Sequence, residues 1–280
     1  RGIGGPSFET AGWLGRTLDV VGTPDNPLQG ISVSYSPDPV LASHRAATAT
    51  VYDPGNFDFY IGDVWDSDGF IGAYRNAASG KTASEGLRAA RRTYANAFRM
   101  RDQLVPLRVT DDTPLPPVPV PYPDTDLGKG LQNLARMLGA GFGTRVAALS
   151  PSGFDTHDDQ ASDHAELLQD LGDSLLAWQS DLTARGLSSR VITMVWSEFG
   201  RRLTSNASGG TDHGKGSVML VAGRVAPGHH GEPPPLDRLD DGDLVTTVDF
   251  RSVLGGLAEG VLGVAASDLV GSAHPPLAVV

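Results

Sequence analysis

Two histidines and three carboxylates lie in three short, glycine-bounded segments of the chain. Asp155 and His157 stand two apart in Gly153-Phe154-Asp155-Thr156-His157, and an extended backbone sends both side chains to one side. A carboxylate and an imidazole so placed suit a divalent cation. Asp212 and His213 are adjacent between Gly210 and Gly214, in what reads as a compact loop. Glu198 in Ser197-Glu198-Phe199-Gly200-Arg201 adds a third carboxylate, and Arg201, with Arg202 beside it, offers a bidentate donor to an anion. Together these residues could hold one or two metals, zinc or manganese foremost, calcium or magnesium as the alternatives. Such an ion polarises an ester and activates a nucleophile. Each residue also has a plain structural alternative: His213 capping a turn, Glu198 and Arg201 forming an ion pair, Asp163 capping a helix.

The elements that must position these groups are legible in part. Asp163 and Glu166 open a helix whose apolar residues run Leu167, Leu168, Leu171, Leu175, Trp178 and Leu182, with Gly186 as its stop. Short β-rich runs at 145–149, 191–196 and 217–222 flank it, and the three segments lie beside them. In open α/β sheets, active residues gather past the carboxyl ends of strands. Upstream, Leu127, Leu131, Leu134, Ala135 and Leu138 space a helix that ends near 139–143. Asp249 caps a last helix through Val253, Leu257 and Val261 to Gly263. Thr82 and Glu85 form a capping box for a helix over about 83–104, with Leu87, Ala90, Tyr94, Ala97 and Phe98 at helical spacing. Residues 1–80 are rich in glycine and aromatics and predict loops with short strands, including apolar stretches at 31–35 and 57–61. Seven prolines between 106 and 123 predict an extended connection. The organisation expected is therefore an irregular and helical part over 1–105, a connection over 106–123, and an α/β part over 124–280 carrying the site. The alternation predicts a layered α/β sheet with parallel strands.

Composition narrows the function. Thirty-three acidic against 22 basic residues give a net charge of −11, which disfavours non-specific nucleic-acid binding. The absence of cysteine removes disulfides, thiolate nucleophiles and cysteine zinc sites. The longest apolar candidate, residues 253–269, is interrupted by Glu259 and Asp268, so no membrane span is expected. There is no Gly-x-Ser-x-Gly elbow, Walker loop or His-Glu-x-x-His. His157, Asp163 and His164 have the wrong spacing for a metallo-β-lactamase-like site.

Taken in order, Gly12-Trp13-Leu14-Gly15-Arg16, Tyr122-Pro123-Asp124-Thr125, 127–135, Gly143-Thr144-Arg145-Val146, Gly153 to Gln160, Ser197 to Arg201 and Gly210 to Gly214 resemble the family called domain of unknown function 1501. The resemblance implies an alkaline phosphatase- and sulfatase-like fold, a three-layer sandwich with a mostly parallel central sheet. It implies metal ligation by Asp155 with His157 and by Asp212 with His213, with Glu198 in the position of a further acidic ligand. It also implies bacterial export through a twin-arginine signal, to the periplasm or beyond. The family's early apolar strand and Gly-Gly-x-Asp segment have no match in residues 1–12, so the chain, which begins at Arg1, is expected to lack that N-terminal strand and the nucleophile it carries. Ser197 and Thr211 are not nominated in its place. His164, His229, His230 and His274 are expected at the surface. The function expected is metal-dependent hydrolysis of phosphate or sulfate esters on a small molecule or a polysaccharide. The alternative is a non-catalytic exported binding module on the same fold.

Overall fold

A computed structural model of the chain describes residues 11–59, 67–110, 114–115 and 117–280. The expectations for residues 1–10 and for Tyr60 and Ile61 lie outside them. The chain divides into two compact units, one of residues 2–117 with 133–149, the other of 118–132 with 150–280 and Arg1.

The first unit is built on a small parallel sheet. Strands β1 (Gly30–Ser32), β2 (Ala49–Thr50) and β3 (Val146–Ala148) run in the order β2-β1-β3, with Ile31 opposite both Ala49 and Ala147. The middle strand is buried at all three positions, as a strand covered on both faces must be. Helix α1 (Trp13–Val21) buries Trp13, Leu14 and Leu18. Gly12 and Gly15 allow this packing: a Cβ on either would collide with the backbone of residues 39–42. Helix α2 (Ser67–Ser79) pairs with α3 (Glu85–Gln103), whose N-cap is Ser84, its hydroxyl accepting from the Leu87 amide. Thr82 stands one turn residue further out, accepting from the Ser84 amide, so the capping box is displaced by two residues from its sequence reading. Both α1 and α2 lie where only loops and short strands were expected.

The second unit has antiparallel pairs only. Strand β4 (Thr193–Val195) pairs with β7 (Leu220–Ala222). Ile192, Met194, Met219 and Val221 from this region pack on Val253 and Leu257 of helix α6 (Phe250–Leu257). The hairpin β5 (Gly200–Ser205) and β6 (Thr211–Gly214) lies between β4 and β7 in sequence, and β8 (Leu239–Asp240) with β9 (Asp243–Leu244) makes a smaller one. Residues 211–214 are thus a strand and not the compact loop expected. Helix α5 (Gln160–Ala184) starts three residues before Asp163, which sits in its first turn and is not its cap. It buries Ser174, Ala177, Trp178, Asp181 and Leu182, and it ends at Gly186 with φ +69°. Leu168 and Leu176 face solvent.

Helix α4 (Asp126–Ala140) and the short helix α7 (Ala266–Val270) complete the elements. Of the connection expected over 106–123, residues 117–123 have neither helix nor strand, Pro106 lies in a short 3-10 helix (Val105–Leu107), and residues 111–113 and 116 lie outside the described residues. The overall class is mixed helix and strand with a small parallel sheet, coarser than the three-layer sandwich expected. Among the described residues no helix is long and apolar enough to cross a membrane.

Candidate metal centre

The site lies wholly in the second unit, where the β5–β6 hairpin meets the segment leading into α5. Register in the hairpin sets Arg201 opposite His213 and Gly200 opposite Gly214. Both glycines are required by crowding: a Cβ on Gly200 would sit 2.7 Å from the Gly214 carbonyl oxygen, and one on Gly214 would run into Asp243 and Arg202. The residues between the strands, 206–210, fold back against residues 157–159 through an antiparallel bridge between Asp158 and Gly209. Gly210 is buried at this crossing, and a Cβ there would strike the His157 carbonyl.

This arrangement brings Asp155, His157 and His213 together. Asp155 Oδ1 lies 3.0 Å from His157 Nε2 and 2.8 Å from His213 Nε2. One ligand atom from each residue lies within 4.8 Å of the others. Tetrahedral ligands about 2.0–2.1 Å from a zinc ion stand roughly 3.3 Å apart, so a small outward shift of the three side chains seats a cation. Two imidazole nitrogens and a carboxylate oxygen suit zinc or manganese better than calcium. The residues therefore fit a divalent metal. As the structure stands, the hydrogen bond from His213, opposed by burial and reinforced by that from His157, holds the Asp155 carboxyl below its usual range. All three side chains reach solvent.

Asp212 is placed differently from its expected role. It faces the far side of the His157 ring, with Oδ1 3.5 Å from Nδ1, behind the ligand and not among the three converging groups. A carboxylate in that position orients a metal-binding histidine and fixes its tautomer. Glu198 is not brought in at all: it is exposed in the bend before β5 and stands apart from the cluster. The strand register explains this, since Phe199, not Glu198, turns onto the His213 ring. Those two rings stack at 4.1 Å and 13°.

Arg201, expected as an anion clamp, has its guanidinium turned on the protein itself. Nη1 donates to the Thr211 carbonyl (2.6 Å) and Nη2 to the Phe154 carbonyl (2.8 Å), while the group lies 5.1 Å from the Phe199 ring centre. It ties the Asp155 segment to the hairpin. His164 packs edge-on against Phe154, away from the triad, and His230 meets the Ala226 carbonyl in an exposed loop. His274, expected at the surface, is half-buried with Nδ1 3.5 Å from Asp249.

Two further residues brace the site. Asn206 donates from Nδ2 to the His157 carbonyl (2.8 Å) and Asp212 Oδ1 (3.3 Å), and its Oδ1 accepts from the Ser208 and Gly210 amides (3.0 Å each). Gln160 accepts from Thr211 Oγ1 (2.8 Å) and donates to Thr156 Oγ1 (3.1 Å), linking the same two segments. The sequence carried a signal for Asn206 in the turn-forming composition of 206–210, but none that named its partners.

A family model described as Protein of unknown function (DUF1501) matches residues 2–251. No curated protein and no solved structure matches the chain.

Proposed function

The chain belongs to the DUF1501 family, and from that premise we propose that the second unit is a metal-dependent hydrolase of phosphate or sulfate esters, on a small molecule or a polysaccharide. The observation that carries the reading is the convergence of His157 Nε2, His213 Nε2 and an Asp155 oxygen on one point, with Asp212 behind His157. Three protein ligands with an open solvent side match the pattern of catalytic metal sites, whereas structural sites are closed by four. A divalent ion held there supplies Lewis acidity toward an ester oxygen and lowers the pKa of a coordinated water. The chain's own part is to hold the three ligands at one point, to set the Asp212 carboxylate 3.5 Å from His157 Nδ1, and to stack the His213 ring on Phe199. Thr211 is not a nucleophile on this reading, because its hydroxyl donates to Gln160 Oε1. Arg202, exposed on β5 next to Arg201, is the residue this reading assigns to meet an anionic substrate. The likeness to the alkaline phosphatase and sulfatase superfamily, and an exported setting in a bacterium, belong to the same proposal. What supports the former is the small parallel sheet of the first unit.

The test is elemental analysis of purified protein followed by turnover on a panel of phosphate and sulfate esters. The expected result is one divalent ion per chain and hydrolysis that falls at least about a hundredfold in His157→Ala and Asp155→Ala. Unchanged hydrolysis in both variants removes the triad from the chemistry. A second reading, a metal-holding module without turnover, is favoured by one observation: the triad is open to solvent, so little excludes bulk water from it. Metal-dependent stability with no hydrolysis on the whole panel would select it.

A further inference from the structure

The hairpin of α2 and α3 buries little of itself. Residues 83–90 are all exposed, none of the described residues of α2 is buried, and Phe98 is the one buried residue of α3. It is also basic in an acidic chain: residues 67–108 hold eight Lys or Arg against three Asp or Glu, where the whole chain carries −11. Four of the eight are neutralised within the protein, Arg75 by Asp102, Arg101 and Arg108 by Asp58, and Arg99 by Asp25. The other four, Lys81, Arg88, Arg91 and Arg92, meet no carboxylate among the described residues.

Those four gather at one end of the hairpin. Arg88 Nη1 donates to the carbonyls of Thr82 (3.3 Å) and Ala83 (2.8 Å), in the turn between the helices. The Arg91 guanidinium folds back over Gly80, where a Cβ would stand 2.9 Å from it. Lys81 lies in the same turn, and Arg92 follows Arg88 at i+4. Like charges at that spacing destabilise a helix, and a cation on its first turn opposes its dipole. Helix stability therefore does not account for this placement; an anion held among the four does. Guanidinium forks pair with the oxygens of phosphate and sulfate groups. Beside the cations, the seam of the two helices turns aromatic rings to solvent. Tyr74 lies 4.8 Å from Phe70 and 5.9 Å from Tyr94, and Tyr94 stands at i+3 from Arg91. Phe70, Tyr74 and Tyr94 are 40, 44 and 50% exposed.

A flat bilayer laid on the turn would meet cations alone, since Ala83 is the one apolar side chain in residues 79–86. A flexible anionic chain lying along the flank meets cations and rings together, and the electron-rich face of a ring takes the C–H face of a sugar. We propose that the α2–α3 hairpin binds a polysaccharide carrying phosphate or sulfate groups. The choice of polyanion rests on the hydrolase reading above; the binding rests on the hairpin alone.

Titration calorimetry of the full chain against dextran sulfate should give binding that weakens as salt is raised, with no heat from neutral dextran. Lys81→Glu combined with Arg92→Glu should lower the affinity at least about tenfold while circular dichroism keeps its helical signal. Tyr74→Leu, which leaves every cation in place, should lower it about threefold with the salt dependence unchanged. His157→Ala should bind as the parent does, so a chain that binds dextran sulfate and hydrolyses no ester loses the hydrolase reading and keeps this one. Absence of binding in low salt overturns the inference whatever the turnover, as does binding that the double charge reversal leaves intact. Tighter binding to phosphatidylglycerol vesicles or to a DNA duplex, at equal concentration of anionic groups, overturns the polysaccharide as the occupant.

Discussion

An imidazole that binds a cation through Nε2 leaves Nδ1 to donate, and the group receiving that proton sets the tilt and tautomer of the ring. For His157 the carboxylate facing that nitrogen is Asp212, at 3.5 Å, so on the proposed metal reading Asp212→Ala should keep the site but weaken it, by about 10- to 100-fold in zinc affinity. Asp155→Ala, which removes a ligand, should cost more than that, and competition with a chromophoric chelator separates the two. Asn206 stands one step further out. Its loss strands the His157 carbonyl and the Gly210 amide together, so Asn206→Ala should lower metal affinity and also destabilise the fold by about 1–3 kcal/mol in urea titration. Asp155, His157 and His213 were legible as candidate ligands because their types suit a metal and the first two are spaced for an extended segment. The braces were not, because an asparagine in a turn or a glutamine at a helix start has no fixed meaning until the fold supplies its partners. Glu198 failed for a related reason. Its type suited a metal, but in the bend before β5 it is the neighbouring Phe199 whose ring lies on His213.

The same limit acts on whole elements. Helix α4, strand β3, most of α5, strands β4 and β7 and the start of α6 follow from apolar patterning, since each is built on a stripe or a run that the sequence displays. Helix α1 carries Trp13, Leu14 and Leu18 on one side, but over only nine residues among glycines, and α2 lies among glycines and aromatics whose local preference is for turns. Strand β6 was hidden because Gly210, Thr211 and Gly214 read as a loop; its glycines serve close approach between backbones. Gly210→Ala should therefore push the His157 carbonyl outward and weaken metal binding more than it weakens the fold. The α6 cap provides a contrasting case, read from one residue and found there. Asp249 accepts from the Arg251 amide (2.8 Å) and holds the Arg251 side chain at 2.8 and 2.6 Å. The Arg251 side chain, with burial opposing, holds its carboxyl down to about 2 from an ordinary 3.8. A carboxyl lowered by folding adds stability that is complete above its unfolded value and lost as the pH falls toward the folded one. Asp249→Ala should cost about 1 kcal/mol at neutral pH. The difference from the parent should shrink below pH 3.8 and vanish under about 2. Denaturant titrations at stepped pH check both the size and the sign.

Across the whole molecule, charge is divided as unevenly as secondary structure. The unit of residues 2–117 and 133–149 holds 12 basic and 13 acidic residues, whereas the unit containing the triad holds 10 and 20. Nearly all of the chain's −11 therefore belongs to the unit that holds the triad. A field of that sign raises the local concentration of divalent cations and lowers that of dianions. Screening acts on both: the Debye length falls from about 30 Å at 0.01 M salt to about 10 Å at 0.1 M. The two ligands of the proposed hydrolase should then respond to salt in opposite directions. Metal association, followed by stopped-flow against a fluorescent chelator, should slow as salt is raised. For a phosphate or sulfate ester turned over by the metal-loaded protein, KM should fall over the same range, because screening removes repulsion before the substrate meets Arg202. A neutral ester should be indifferent to salt. If metal association and KM move together, the field of the unit does not reach the site, and the local charges of Asp155, Asp212 and Arg202 alone govern what approaches it.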